Sequence, residues 1–209
     1  SFQWRKEHPP LSTTALTPAQ RRYRRHRATS TIGAFGAIIT SSTPVAMGFL
    51  VIPGSEHFGV SARQFLIYFT LFLFTSAVIF GFTGRLIARF GVRAVLTAGG
   101  LIMAAAWVGM AYAPNIYMFY VFAFFMGIGA SGSNLLSANT IVMGWHVHKR
   151  RGRVIGIVAT GGAFGGMLIG FVFPGIMAAG GYVGGALGIA AMSFICSVLT
   201  GVFLVKNPP

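Results

Sequence analysis

The stretch GRLIARFGVRA, residues 84–94, sets Arg85, Arg89 and Arg93 between two long apolar runs, with no acidic residue close by. The rest of the chain decides how those arginines are read. Of its 209 residues 55% are hydrophobic and 9% charged, and its mean hydropathy is +0.73. Soluble domains carry about 25% charged residues, and a core of this size would need a charged shell. Here whole stretches of about 20 residues hold no charge, so the composition excludes a water-soluble domain and predicts an integral membrane protein. The arginines then mark a connection between membrane spans.

Working outward, six apolar spans follow one another, at residues 31–52, 64–83, 94–113, 116–143, 154–179 and 182–205. At about 1.5 Å per residue, 20 helical residues reach about 30 Å, the thickness of the hydrocarbon layer. The fourth and fifth spans exceed that length and should tilt, bend or project. Residues 1–29, with Pro9, Pro10, Pro18 and the run RRYRRHR at 21–27, form a basic tail of solvated composition. Residues 30–205 form one transmembrane unit, and 206–209 begin a linker.

Charge sets the expected orientation. Fifteen of the sixteen Lys and Arg residues fall in the tail, in the connections after spans two and four, or after span six, which leaves Arg63 alone on the other side. By the positive-inside rule both termini are cytoplasmic. The opposite connections PGSEHFGVSA (53–62), PN (114–115) and GG (180–181) are short and nearly uncharged, so consecutive helices run antiparallel. The fold class expected is all-α, and the location a bacterial inner (plasma) membrane.

Several motifs point elsewhere and are set aside on physical grounds. GIGASG at 127–132 fits G-x-G-x-x-G, but it lies inside an apolar span, with no strand before it and no acidic residue about 20 positions on. Its glycines read as helix-packing positions, as do Gly152/Gly156, Gly161/Gly165 and Gly162/Gly166/Gly170 at four-residue spacing. The net charge of +14 and RRYRRHR suggest nucleic acid at first. Attraction of a juxtamembrane basic run to anionic lipid explains them without it, so the bilayer and not nucleic acid is the expected partner. His146 and His148 face different sides of a helix, with no carboxylate or thiol nearby; no metal and no cofactor are expected.

The sequence holds two acidic residues, Glu7 and Glu56, neither of them inside a span, and no Asp at all. A relay of intramembrane carboxylates cannot be built from this chain alone, and neither can a Ser-His-Asp set, so no enzyme is expected. Hydroxyls and amides are what the spans offer. The first carries Thr40, Ser41, Ser42 and Thr43 ahead of Pro44; the fourth carries Ser131, Ser133, Asn134, Ser137, Asn139 and Thr140. Such groups in lipid either bond between helices or face a wet cavity. Thr40, Ser41, Ser42, Thr43, Ser131, Ser133, Asn134 and Asn139 are the candidates for a small-molecule path.

GRLIARFGVRAV resembles the signature connection between helices two and three of major facilitator superfamily transporters, roughly G-x-L-x-D-R-x-G-x-R. Gly84, Leu86, Arg89, Gly91 and Arg93 match, Arg85 stands beside them, and Ala88 takes the acidic position. GWHVHKRRGRVIGI at 144–157 is similar to a stretch after helix four in the monocarboxylate and oxalate/formate-like branch, through Trp145, Lys149, Arg150, Arg151, Gly152 and Gly156. The resemblance implies the N-terminal half of a twelve-helix carrier, built as two inverted three-helix repeats, with helices one and four lining the central path. It implies a second half supplied by a further C-terminal segment, a second copy or another membrane subunit. It also implies that an Asp at 88 would help latch the halves on the cytoplasmic side. The function expected is transport of a small solute, an organic anion such as a monocarboxylate, by alternating access. The alternative is a six-helix scaffold or assembly subunit of a larger membrane complex.

Overall fold

The computed structural model describes residues 18–133, 135–145 and 148–205. Helices α1 Pro18–Ser41, α2 Met47–Phe58, α3 Ala62–Phe65, α4 Ile67–Phe90, α5 Val92–Ala111, α6 Ile116–Gly132, α7 Leu135–Trp145 and α8 His148–Val198 succeed one another, with a 3-10 turn at Thr43–Ala46 and a π-helical turn at Leu199–Leu204. No strand occurs among the described residues. Among the described residues, five helical stretches are long and apolar enough to cross a membrane: Ala28–Phe58, Ala62–Phe90, Val92–Ala111, Ile116–Trp145 and Gly152–Gly201. Large apolar side chains such as Ile52, Tyr117 and Phe171 face outward, as lipid-facing surfaces require.

The longest stretch, of 50 residues, is not one rod. Gly181 has φ 57° and ψ −153°, a backbone that an L side chain rarely adopts, and it folds α8 into two arms. Those arms touch: a Cβ on Gly185 would stand 3.2 Å from the Phe173 ring, and one on Gly188 3.1 Å from Ile176.

Three boundaries differ from the sequence expectation. The stretch beginning at Pro53, placed in a connection, instead continues α2 to Phe58 with Pro53 inside the helix. Packing outweighs the proline signal. A Cβ on Gly54 would stand 2.5 Å from the Phe65 ring, the His57 ring stacks 4.8 Å from Tyr182, and Phe58 lies 5.4 Å from Phe119. At the other end, α1 reaches back to Pro18, so the basic run 21–27 is helical and continuous with the first span. Finally, the signature connection is hardly a loop. α4 runs to Phe90 and α5 starts at Val92, with only Gly91, at φ 82°, between them. Arg85 and Arg89 therefore ride the last turns of α4, and Arg93 the first turn of α5.

Two apolar clusters hold the bundle. One gathers Leu50, Phe65, Tyr68, Trp107, Met110, Phe119 and Tyr182; the other gathers Ala34, Ile38, Leu96, Ile141, Val142, Trp145 and Val205 at the signature end. Between them, α5 and α6 meet backbone to backbone. A Cβ on Gly129 would lie 2.6 Å from the Met103 nitrogen, and one on Gly132 2.9 Å from the Val95 oxygen. Gly127 instead faces α4, 2.8 Å from the Phe72 oxygen on the same construction. The glycines of GIGASG thus serve close helix approach. The fifth-span glycines divide. Gly161, Gly162 and Gly165 sit against α1, while Gly152, Gly156, Gly166 and Gly170 have nothing within 4 Å of a built Cβ.

Candidate functional site

The helical spans break where the sequence concentrates its hydroxyls. The first span interrupts its α-helix after Ser41 and passes through the 3-10 turn Thr43–Ala46, which Pro44 imposes near its start. The fourth ends α6 at Gly132, with Ser133 at φ −100° and ψ 39°, and resumes at Leu135. A break frees backbone carbonyls that lipid cannot satisfy. Nearby hydroxyls take them up: Thr43 Oγ1 donates to the Thr40 oxygen at 2.9 Å, and Ser137 Oγ donates to the Gly132 oxygen at 2.6 Å.

Other hydroxyls tie the breaks to neighbouring helices. Ser42 Oγ is within 3.1 Å of the Ile38 oxygen and 3.0 Å of the Gly162 oxygen on α8. Ser133 Oγ donates to the Leu96 oxygen of α5 at 3.2 Å. Thr43 Oγ1 also lies 3.8 Å from Met103 Sδ on α5. The two breaks are thus pinned to one face of α5 at Leu96 and Met103, seven residues or about 10 Å apart along its axis. Thr40 and Ser131 donate within their own helices, to Gly36 at 3.2 Å and Ile128 at 2.7 Å. All five of these residues from the candidate set, Thr40, Ser42, Thr43, Ser131 and Ser133, are buried.

Asn139 stands apart. Its Oδ1 is buried and has no hydrogen-bond partner among the described residues, although the residue as a whole is half-buried on α7. A buried amide oxygen without a donor costs free energy unless something supplies one. Asn134 lies outside the described residues, and the side chains of Ser41, Lys149, Arg150 and Arg151 lie outside the described side chains. Of the branch-like stretch, Trp145 is buried against the signature-end cluster, and Gly152 is exposed.

At the signature, Gly84 and Ala88 are exposed, and the Arg85 and Arg89 guanidinium carbons stand 6.0 Å and 5.4 Å from the Phe82 and Phe90 rings. Arg93 Nε donates to the Gly201 oxygen at 3.0 Å. Gly201 lies in the π-helical turn, whose bonding is shifted to Val205 N to Thr200 O at 2.8 Å. This tie between the signature and the end of the last span is invisible in the sequence, because π-helical bonding leaves no compositional mark. Arg93→Gln is expected to lower the melting temperature by several degrees through loss of a charged hydrogen bond worth about 1.5–3 kcal/mol, as read by thermal unfolding of the purified protein.

The family model of the Major Facilitator Superfamily matches residues 30–209. The chain belongs to the major facilitator superfamily, a family of transporters and not of enzymes. Among curated relatives it is similar to monocarboxylate transporter 14 of Homo sapiens, 31% identical over 136 residues, covering 65% of this chain and 26% of that protein. It is also similar to the multidrug resistance protein MdtG of Salmonella paratyphi C, 28% identical over 182 residues, covering 84% of the chain and 42% of the relative. Among solved structures, the proton:xylose symporter XylE bound to 6-bromo-6-deoxy-D-glucose superposes with a TM-score of 0.76 at 18% identity, over 88% of this chain and 46% of that one; that likeness speaks to fold. The chain therefore spans less than half the length of these relatives.

Proposed function

We propose that this chain is the N-terminal half of a secondary transporter that carries a small organic anion, such as a monocarboxylate, by alternating access with a second six-helix half. The observation that carries the reading is the coincidence of both helix breaks with the hydroxyl and amide clusters of the first and fourth spans, beside an Asn139 oxygen without a donor among the described residues. Discontinuous helices are where transporters build solute sites, because unwound backbone is tolerated only against protein or a wet cavity. Likeness to monocarboxylate transporter 14 supports the solute class.

Counting the two arms of α8 separately gives six crossings. Their pairing supports two inverted repeats: the first span packs on the fifth as the second packs on the fourth, and the third meets the fourth as the sixth meets the first. Both termini are then on one side, the cytoplasmic side by charge, in a bacterial inner membrane. The second and fifth spans are equivalent under that inversion, and both leave small-residue faces open, at Gly81 and Gly84 and at Gly166 and Gly170. A second half, whether a C-terminal segment, another subunit or a second copy, would cover them.

A scaffold or assembly subunit is the second reading, favoured by the five buried hydroxyls that already donate to backbone carbonyls. Uptake of labelled small acids into proteoliposomes holding the full-length protein separates the two. Saturable uptake of a monocarboxylate is expected; no uptake of any tested acid, with stable co-purification in a larger assembly, would support the scaffold. Ala88→Asp is expected to strengthen the cytoplasmic latch. It places a carboxylate one turn from Arg85 and beside Arg89, where exposed pairs contribute at most about 1 kcal/mol. A single cysteine on the cytoplasmic face should then label about fivefold more slowly with an impermeant maleimide, the rate effect of about 1 kcal/mol; an unchanged rate would remove the latch role of this position.

A further inference from the structure

The last span ends in a turn whose carbonyl at Gly201 has two competing donors. In an α-helix Val205 N would donate to the Gly201 oxygen, four residues back. Here the turn Leu199–Leu204 is π-helical, Val205 N donates to the Thr200 oxygen at 2.8 Å, and Arg93 Nε donates to the Gly201 oxygen at 3.0 Å. In the π register the donor described for that carbonyl is therefore Arg93; in the α register it would be the backbone. A π turn accommodates one residue more than the α-helix around it. Closing it with the preceding span fixed would turn Leu204 and Val205 by about 100° about the helix axis.

Neighbouring helices feel that register. Val205 is fully buried, and a Cβ on Gly33 of α1 would stand 2.7 Å from its side chain, 3.0 Å from Leu204 and 3.3 Å from Val205 N. One turn on, a Cβ on Gly36 would meet Thr200, and the Gly36 oxygen accepts from Thr40 Oγ1 at 3.2 Å, just ahead of the break in the first span. On the α5 side, a Cβ on Gly201 would stand 2.9 Å from Thr97 Cβ, one turn beyond Arg93. Held between α1 and α5, the turn can close only if Leu204 and Val205 leave Gly33. We propose that it is a two-register switch: Arg93, as a positioning residue, holds the π form on its seat against α1, and release of Arg93 closes the turn to α-helix and withdraws Leu204 and Val205 from Gly33. Movement at the signature is thereby passed to the first span. Its consequence for a solute path rests on the function proposed above, whereas the switch itself is read without solute.

Val205→Cys reports the register in purified full-length protein with Cys196→Ala and any cysteine outside this chain replaced. Its thiol is buried in the π form and turned away from Gly33 in the α form. With Arg93 in place it should react slowly with a maleimide, and Arg93→Gln should raise the rate about tenfold, the equilibrium effect of one charge-assisted hydrogen bond. Deleting Val202 removes the extra residue, so that Val205 N keeps the Thr200 oxygen as an ordinary α-helical bond and Val205 keeps its seat. That deletion should leave the melting temperature within a few degrees. Deleting Ala191, in the regular part of α8, turns the residues after it by about 100° and should lower the melting temperature by roughly 10 °C or more. In the protein lacking Val202, Arg93→Gln should no longer speed labelling of Val205→Cys. An unchanged rate on Arg93→Gln, an equal rise with and without Val202, or equal harm from the two deletions would overturn the proposal.

Discussion

Gly129→Ala is expected to lower the melting temperature by roughly 10 °C, while Gly175→Ala leaves it within a degree or two. One methyl group separates each pair, and its surroundings differ. On Gly129 it would stand 2.6 Å from the Met103 nitrogen and 2.7 Å from the Gly99 oxygen, whereas on Gly175 it meets nothing within 4 Å. Backbone atoms cannot rotate aside as a flexible side chain can, so α5 and α6 must separate. Overpacking of this kind costs about 1–3 kcal/mol and occasionally more, and in a domain of this size each kcal/mol moves the midpoint by roughly 2–4 °C. Gly99→Ala strikes the same contact from the other side, 2.7 Å from the Gly129 oxygen. The double substitution should therefore fall short of the sum of the singles, because residues in one contact do not act independently. Thermal unfolding followed by fluorescent size-exclusion gives all four values. Equal melting temperatures for Gly129→Ala and Gly175→Ala would mean that the two helices do not meet at these glycines.

The second large effect concerns transport. Asn139→Ala is expected to cut uptake of the carried anion at least tenfold with little change in melting temperature. Among the described residues the Asn139 oxygen has no partner, so its removal breaks no hydrogen bond described there, whereas the amide N–H donating to an anionic solute contributes about 1.5–3 kcal/mol. Ser133→Ala should show the reverse pattern. Its hydroxyl donates to the Leu96 oxygen at 3.2 Å, so the loss is of order 1 kcal/mol in stability with uptake largely kept. Uptake in proteoliposomes alongside melting curves reads both. Loss of stability but not of uptake in Asn139→Ala would assign that residue to packing.

Much of this was legible in the sequence. Hydropathy marks the spans, because a lipid-facing helix must be apolar all round and in length. The break between the last two arms is marked by Gly180 and Gly181, and the turn before the fourth span by Asn115, whose side chain accepts from the Met118 nitrogen at 2.9 Å. Helix ends at the membrane surface were less legible. Pro53 reads as a stop, yet the helix continues because residues beyond it fill an aromatic cluster that no local pattern announces. GRLIARFGVRA reads as a loop because its charges suggest solvent, and long helices can carry charges past the bilayer.

The candidate site divides in the same way. Residue types alone place the hydroxyl clusters on the first and fourth spans, and Pro44 explains one break in advance. Nothing in the composition distinguishes Asn139, whose oxygen is left over, from Ser42, whose hydroxyl reaches the Gly162 oxygen 120 positions away. That distinction depends on which helices become neighbours. Ala88 remains the departure that sequence shows most plainly, since an acidic residue at that position would be the chain's third.

The central claim is that the broken first and fourth spans border a solute path, and the reactivity of Asn139→Cys tests it most directly. In a full-length background with Cys196→Ala and any cysteine outside this chain likewise replaced, the new thiol should react with an impermeant maleimide, and the transported anion should slow that reaction severalfold. A thiol silent from both sides of the membrane, or one that reacts at the same rate with and without the anion, would contradict the account.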